Sequence, residues 1–155
     1  QSQVAGLLAL GGRPLRPLHR PDPRIPFLTP ALIDMTGLPK APDEEIFGPV
    51  LQLWRERDLG AAIARANATR FGLSAAMLGG TAEQFARFRA GIRAGVVNWN
   101  RPTNGASSAL PFGGLGDSGN LRPSAYYAAD YCAHPVGGME VPTLAGEIAI
   151  GMKPA

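Results

Sequence analysis

The sequence predicts an α/β fold built on a β-α-β-α-β parallel-sheet core, and three observations carry that expectation. Apolar runs of strand length recur at residues 50–54, 72–78 and 96–99. Two segments with helical spacing lie between them, each opened by a side chain suited to capping a helix, Asp58 and Thr81. Regular alternation of strand and helix is the connectivity of parallel strands joined by right-handed crossovers.

In chain order, residues 4–10 read as the end of a short helix, broken at Gly11-Gly12. Pro-punctuated extended pieces follow up to residue 43, with Phe27 to Met35 as the best strand among them. Val50 to Trp54 is the first strand of the core. Asp58 then caps a helix whose apolar face is Leu59, Ala62, Ile63 and Ala66. Gly72 to Leu78 is the second strand. Thr81-Ala82-Glu83-Gln84 spells a capping box for a helix with Phe85, Phe88 and Ile92 on one face, which Gly95 is placed to end. Val96 to Trp99 is the third strand. Residues 100–120, rich in Gly, Ser and Asn, lie beyond its carboxyl end, where open parallel sheets gather ligands. A short helix over 124–129 and a hairpin pairing 131–136 with 139–141 across Gly137-Gly138 complete the expected elements. The last dozen residues read as a loose tail.

The 155 residues suffice for one domain with a core, and 20 Gly with 15 Pro imply long loops. No apolar run approaches the roughly 20 residues that cross a bilayer, so no membrane span is expected. The chain opens on Gln1 with no basic segment leading into an apolar one. That pattern points to no secretory signal and to a piece of something longer. A lone cysteine, Cys132, excludes an internal disulfide and a cysteine-rich zinc site, and fits a cytoplasmic protein. The net charge is +3, with thirteen Arg and two Lys scattered along the chain. No basic stripe marks a nucleic-acid partner.

Several short patterns invite a chemical reading and also have a plainer one. Residues 114–119 spell G-x-G-x-x-G, but Pro111-Phe112 before them and Pro123 after them are not the strand and helix of a dinucleotide fingerprint, which favours a glycine-rich turn. Asn67-Ala68-Thr69 spells a glycosylation acceptor at a helix end and is expected to be inert. His19 and His134 have no partner at metal-ligand spacing. Cys132 follows Tyr131 in an apolar segment, with no cation or helix N-terminus to lower its thiol pKa, and reads as a buried structural residue. Asp43-Glu44-Glu45 is either an acid/base pair or a solvated surface. The following Ile46-Phe47-Gly48-Pro49 sets Glu45 and an aromatic side by side on a rigid turn.

Taken together, Glu44 to Val50, then Asn67 with Phe71 to Ala75, then Gly95 to Asn100, then Pro111 to Gly114 with Ser118-Gly119, resemble the ordered motifs of the NAD(P)-dependent aldehyde dehydrogenase family. Asn98 to Pro102 running into Gly105 to Ser108, with Arg122 to Cys132, is similar to its N-succinylglutamate 5-semialdehyde dehydrogenase branch, which uses NAD in arginine catabolism. The resemblance implies that residues 1–130 are the C-terminal part of that family's catalytic domain. It implies that 131–142 are a β oligomerisation arm joining copies of the chain, and that 143–155 are a tail. By the same resemblance Glu45 accepts hydrogen bonds from the nicotinamide ribose and Phe47 packs near the nicotinamide ring. Gly105, Ala106 and Ser107 anchor a substrate carboxylate, Arg101 and Arg122 complement the substrate's charge, and Phe112 shapes the aldehyde pocket. The family's nucleophilic cysteine, its glutamate base, its oxyanion asparagine and its coenzyme domain find no counterpart in these residues. The chain alone is therefore expected to be catalytically silent and to self-associate. Two alternatives stay open: a dehydrogenase of the same class acting on another aldehyde, and a non-catalytic assembly module.

Overall fold

The computed structural model describes residues 1–120, 123–140 and 142. Helix α1 (Ser2–Ala9) turns Val4 and Leu7 inward. Strand β1 (Arg13–Arg16) runs antiparallel to β2 (Ala31–Asp34), and β2 pairs in parallel with β3 (Val50–Leu53). Val4, Leu7, Ile33 and Met35 form the core cluster, with Leu18, Leu38, Ile46, Val50 and Trp54 packed around it. The most tightly packed part of the molecule thus comes from the Pro-rich first third. There β2, flanked on both sides, carries apolar residues without the alternation that marks a half-exposed strand.

Helix α2 (Leu59–Asn67) starts where expected, its Asp58 cap accepting the Ala61 amide at 2.8 Å. Strand β4 (Ser74–Met77) follows, then α3 (Ala82–Gly91), whose Thr81–Gln84 capping box forms in full. Strand β5 (Val96–Trp99) pairs in parallel with β4, Ser74 opposite Val96 and Met77 opposite Trp99. Phe85 of α3 stacks on Trp99, centroids 5.1 Å apart. Beyond β5, β6 (Pro111–Phe112) pairs antiparallel with β7 (Ser124–Ala125), and α4 (Ala128–Tyr131) follows.

Five expectations are corrected. The β-α-β-α-β core does not form one sheet, because β3 pairs with β2 while β4 and β5 make a second sheet. Periodicity identifies a strand but not its neighbour, and consecutive strands pair only about two-thirds of the time. Helix α3 ends at Gly91 with Ile92 as its cap, four residues before Gly95. The helix expected over 124–129 lies at 128–131, because Ser124 and Ala125 are drawn into pairing with β6. No strand forms over residues 131–140: Tyr131 closes α4 and the residues after it are irregular and exposed. Cys132 is therefore exposed rather than buried. The residues expected as a tail, 143–155, lie outside those described, as does Arg122.

The accessible surface is 12057 Å². A self-contained monomer of this mass exposes about 7,500 Å². The excess is visible in single side chains, with Phe47 90% exposed, Val136 85% and Met139 100%. The side-chain atoms Gln52 Oε1 and Trp54 Nε1 on and beside β3 are shielded from solvent without a hydrogen-bond partner. No described helix is long and apolar enough to cross a membrane.

Gly6 lies inside α1 with nothing within 4 Å of where a Cβ would sit. Gly6→Ala is expected to stabilise the protein by about 0.5–1 kcal/mol, by lowering the chain entropy of the unfolded state. A urea midpoint that fails to rise would show that this helix does not persist in solution.

Candidate functional site

A cavity of about 440 Å³ opens where β5 gives way to the irregular loop, bounded by the strand itself and by Arg101, Pro102 and Asn104 to Ser107. Arg101, Gly105, Ala106 and Ser107 all line it. Its shape is set locally. The Asn98 side chain donates to the Pro102 carbonyl at 2.8 Å and folds the loop back against the strand. Asn100 takes a left-handed conformation (φ 52°), and its side chain accepts the Gly79 amide at 2.7 Å, fixing the strand end to the β4–α3 turn. Ser107 closes a tight turn, its hydroxyl accepting from the Ala109 amide and its carbonyl from the Leu110 amide. Among the described residues no carboxylate pairs with Arg101, which is exposed. Phe112 stands just outside this group: it lies on β6, 37% exposed, next to the lining residue Pro111.

The amino end of β5 is held by a close approach that only glycine allows. A Cβ on Gly95 would sit 1.6 Å from the Gly113 carbonyl oxygen. The G-x-G-x-x-G spelling at 114–119 folds into a short 3₁₀ turn, Gly116–Ser118, in which the Ser118 hydroxyl accepts the Gly72 amide at 3.1 Å. It is a packing turn, in keeping with the glycine-rich reading.

Glu45 and Phe47 lie on the loop from β2 to β3 and do not line the cavity. Between them Ile46 packs against the core, and both flanking side chains are exposed. Phe47 is 90% exposed beside the likewise exposed Glu45. Asp43, two residues earlier, is bonded to the Thr69 hydroxyl and to the Arg70 amide at 2.7 Å. Those bonds, the hydroxyl first, hold its carboxyl below the usual carboxylate range.

Sequence reasoning missed the structural roles of Asn98, Asp43 and Asn67. The Asn67 side chain donates to the Gly91 carbonyl and accepts the Arg93 amide, both at 2.8 Å, so it ties the ends of α2 and α3 together. A polar side chain at a strand or helix end, next to a loop that must be held, was the available signal. Among the described residues no group of three His, Cys, Asp or Glu side chains is placed to hold a metal ion.

The aldehyde dehydrogenase family model matches residues 3–135. The chain is 58% identical over 147 residues to the N-succinylglutamate 5-semialdehyde dehydrogenase of Novosphingobium aromaticivorans, covering 95% of this chain and 31% of that protein. It spans about a third of the length of the curated relatives it matches. Among solved structures, aldehyde dehydrogenase 21 from Physcomitrella patens in complex with the reaction product succinate superposes with a TM-score of 0.72 at 29% identity, over 83% of this chain and 26% of that one. An NAD-dependent aldehyde dehydrogenase from Sinorhizobium meliloti gives 0.66 at 31% identity, over 83% and 26%.

Proposed function

From the premise that the chain belongs to the aldehyde dehydrogenase family, we propose that it is the C-terminal part of an NAD-dependent enzyme that oxidises N-succinyl-L-glutamate 5-semialdehyde to N-succinyl-L-glutamate. One observation carries the reading. A single cavity is lined by Arg101, which has no carboxylate partner among the described residues, and by a run of small residues, Gly105 to Ser107, at the end of a parallel strand. The proposed substrate carries two carboxylates, and the cavity offers the complementary charge.

In this reading Arg101 pairs with a substrate carboxylate while Ser107 and its neighbouring amides hold the same end of the molecule. Held at that end, the substrate can direct its aldehyde carbon toward the rest of the enzyme. Glu45 accepts hydrogen bonds from the coenzyme's ribose, and Phe47 gains a ring to cover its exposed face. When bound there, NAD supplies the hydride acceptor. The present residues bind and orient; the single cysteine, exposed at the end of a four-residue helix, is not the nucleophile, and the chain alone is inactive. Residues 1–130 are the catalytic-domain part and 131–142 the arm that joins subunits. The exposed Val136 and Met139 support that assignment.

The test is kinetic. In the full-length enzyme, Arg101→Ala and Ser107→Ala are each expected to raise KM for the dicarboxylate semialdehyde while leaving KM for an uncharged aliphatic aldehyde nearly unchanged. A charge-assisted hydrogen bond of ~1.5–3 kcal/mol makes the arginine effect about tenfold or more. Equal KM values for variant and wild type on the dicarboxylate would remove the anchoring role.

A further inference from the structure

The loop that carries Glu45 and Phe47 would be floppy on composition alone, with Pro39, Pro42, Gly48 and Pro49 and little regular structure. It is secured at several places: Ile46 packs against the core, the Gln3 side chain donates to the Glu45 carbonyl at 3.3 Å, and both ends are tied down. At its far end the Pro49 carbonyl accepts the Ala31 amide of β2 at 2.8 Å. At its near end both oxygens of Asp43 are engaged across 26 and 27 residues of sequence, one by the Thr69 hydroxyl and the other by the Arg70 amide. Asp58, by contrast, caps only its own helix.

The structure that Asp43 grips is itself rigid. The Arg70 carbonyl accepts the Asp117 amide at 3.0 Å, and the Gly72 carbonyl accepts both the Leu115 and the Gly95 amides at 2.9 and 3.1 Å. The Phe71 amide donates to Thr69 Oγ1, so the hydroxyl that serves Asp43 is oriented by the turn it belongs to. Residues 69–72 thus form a braced turn between α2 and β4, and the near end of the Glu45 loop is pinned to it through one carboxylate.

We infer that Asp43 is a positioning residue for the coenzyme, its carboxylate holding the 43–47 loop against the Thr69–Arg70 turn so that Glu45 and Phe47 are presented in one geometry. This rests on the coenzyme reading of Glu45 given above. Asp43 does not touch the coenzyme; it removes the entropy that the loop would otherwise lose on binding. Its carboxyl, held below the usual range chiefly by the Thr69 hydroxyl, stays ionised through the neutral range, where the pin is in place.

Four variants of the full-length enzyme test this: Glu45→Gln, Asp43→Ala, Thr69→Val and Thr69→Ser. The readouts are KM for NAD, KM for the aldehyde and the thermal midpoint. Asp43→Ala and Glu45→Gln are each expected to raise KM for NAD about tenfold, and Thr69→Val about threefold, with KM for the aldehyde within about twofold. Thr69→Ser keeps the hydroxyl and is expected to stay within about twofold of wild type for NAD. If Glu45→Gln raises KM for NAD and Asp43→Ala lowers only the thermal midpoint, Asp43 is structural and the inference falls while the coenzyme reading stands. If Glu45→Gln leaves NAD unaffected, the coenzyme reading falls and the inference with it. Should Asp43→Ala fail to fold, equal KM values for NAD in Thr69→Val and Thr69→Ser would overturn the proposal on their own.

Discussion

Gly95→Ala is expected to lower the stability of the protein by about 3 kcal/mol or more, at the severe end of overpacking substitutions. The added Cβ would lie 1.6 Å from the Gly113 oxygen, 2.7 Å from its carbonyl carbon and 3.1 Å from the Gly114 Cα, all backbone atoms that no rotamer change can move aside. Either β5 shifts or the Gly113–Gly114 segment does. The first displaces the strand that floors the cavity, the second the turn beside Phe112. Activity of the full-length enzyme should therefore fall with stability. Chemical denaturation of the two proteins measures the first effect and steady-state kinetics the second. Unchanged stability would mean that the two backbone segments do not meet. Gly6→Ala is the internal contrast, the same methyl group in open space with the opposite sign.

Asp34→Asn is the second large expected loss. Asp34 lies on the buried central strand of its sheet, its side chain 4% exposed, and it accepts hydrogen bonds from Arg13 at 2.8 Å, from Arg55 and from the Thr36 amide at 3.0 Å. Thr36, then the Arg55 and Arg13 guanidinium groups, hold its carboxyl far below the usual carboxylate range. Because the folded-state value is depressed, the stabilisation is complete above the unfolded aspartate value of about 3.9 and is lost as pH falls through the lowered one. Asparagine keeps the shape but not the charge, so the variant should be less stable at pH 7. The gap between variant and wild type should hold steady up to pH 9 and narrow below about pH 4. Urea midpoints at pH 7 and pH 3 would show it. A gap that widens in acid would contradict the ionised assignment.

Features that depend on near neighbours were legible in the chain. Asp58 and the Thr81–Gln84 box cap their helices because capping joins residues two or three apart. The strands at 50–53, 74–77 and 96–99 showed as apolar runs for the same reason. Features that depend on partners far along the chain were not. Nothing local marks β2 as the neighbour of β3, nor Gly95 as the residue that faces Gly113. The buried setting expected for Cys132 needed a strand, and a strand needs an edge to pair with. The site divides in the same way. Arg101 and Gly105 to Ser107 share a cavity because they lie within seven residues of one another on a loop after a strand. Asp43 was hidden in an acidic run because its partners are 26 and 27 residues away.

The large accessible surface also governs how this segment responds to heat and denaturant. Both the heat-capacity change of unfolding and the slope of stability against denaturant grow with the area newly exposed when a chain unfolds. An unfolded chain of this mass exposes about 23,500 Å², so a segment showing 12057 Å² has about 11,400 Å² left to expose, against about 16,000 Å² for a compact monomer. Alone, it would unfold with a denaturant slope about 30% below that of a compact monomer of the same mass. A neighbour that closed over β3 and Phe47 would raise that slope.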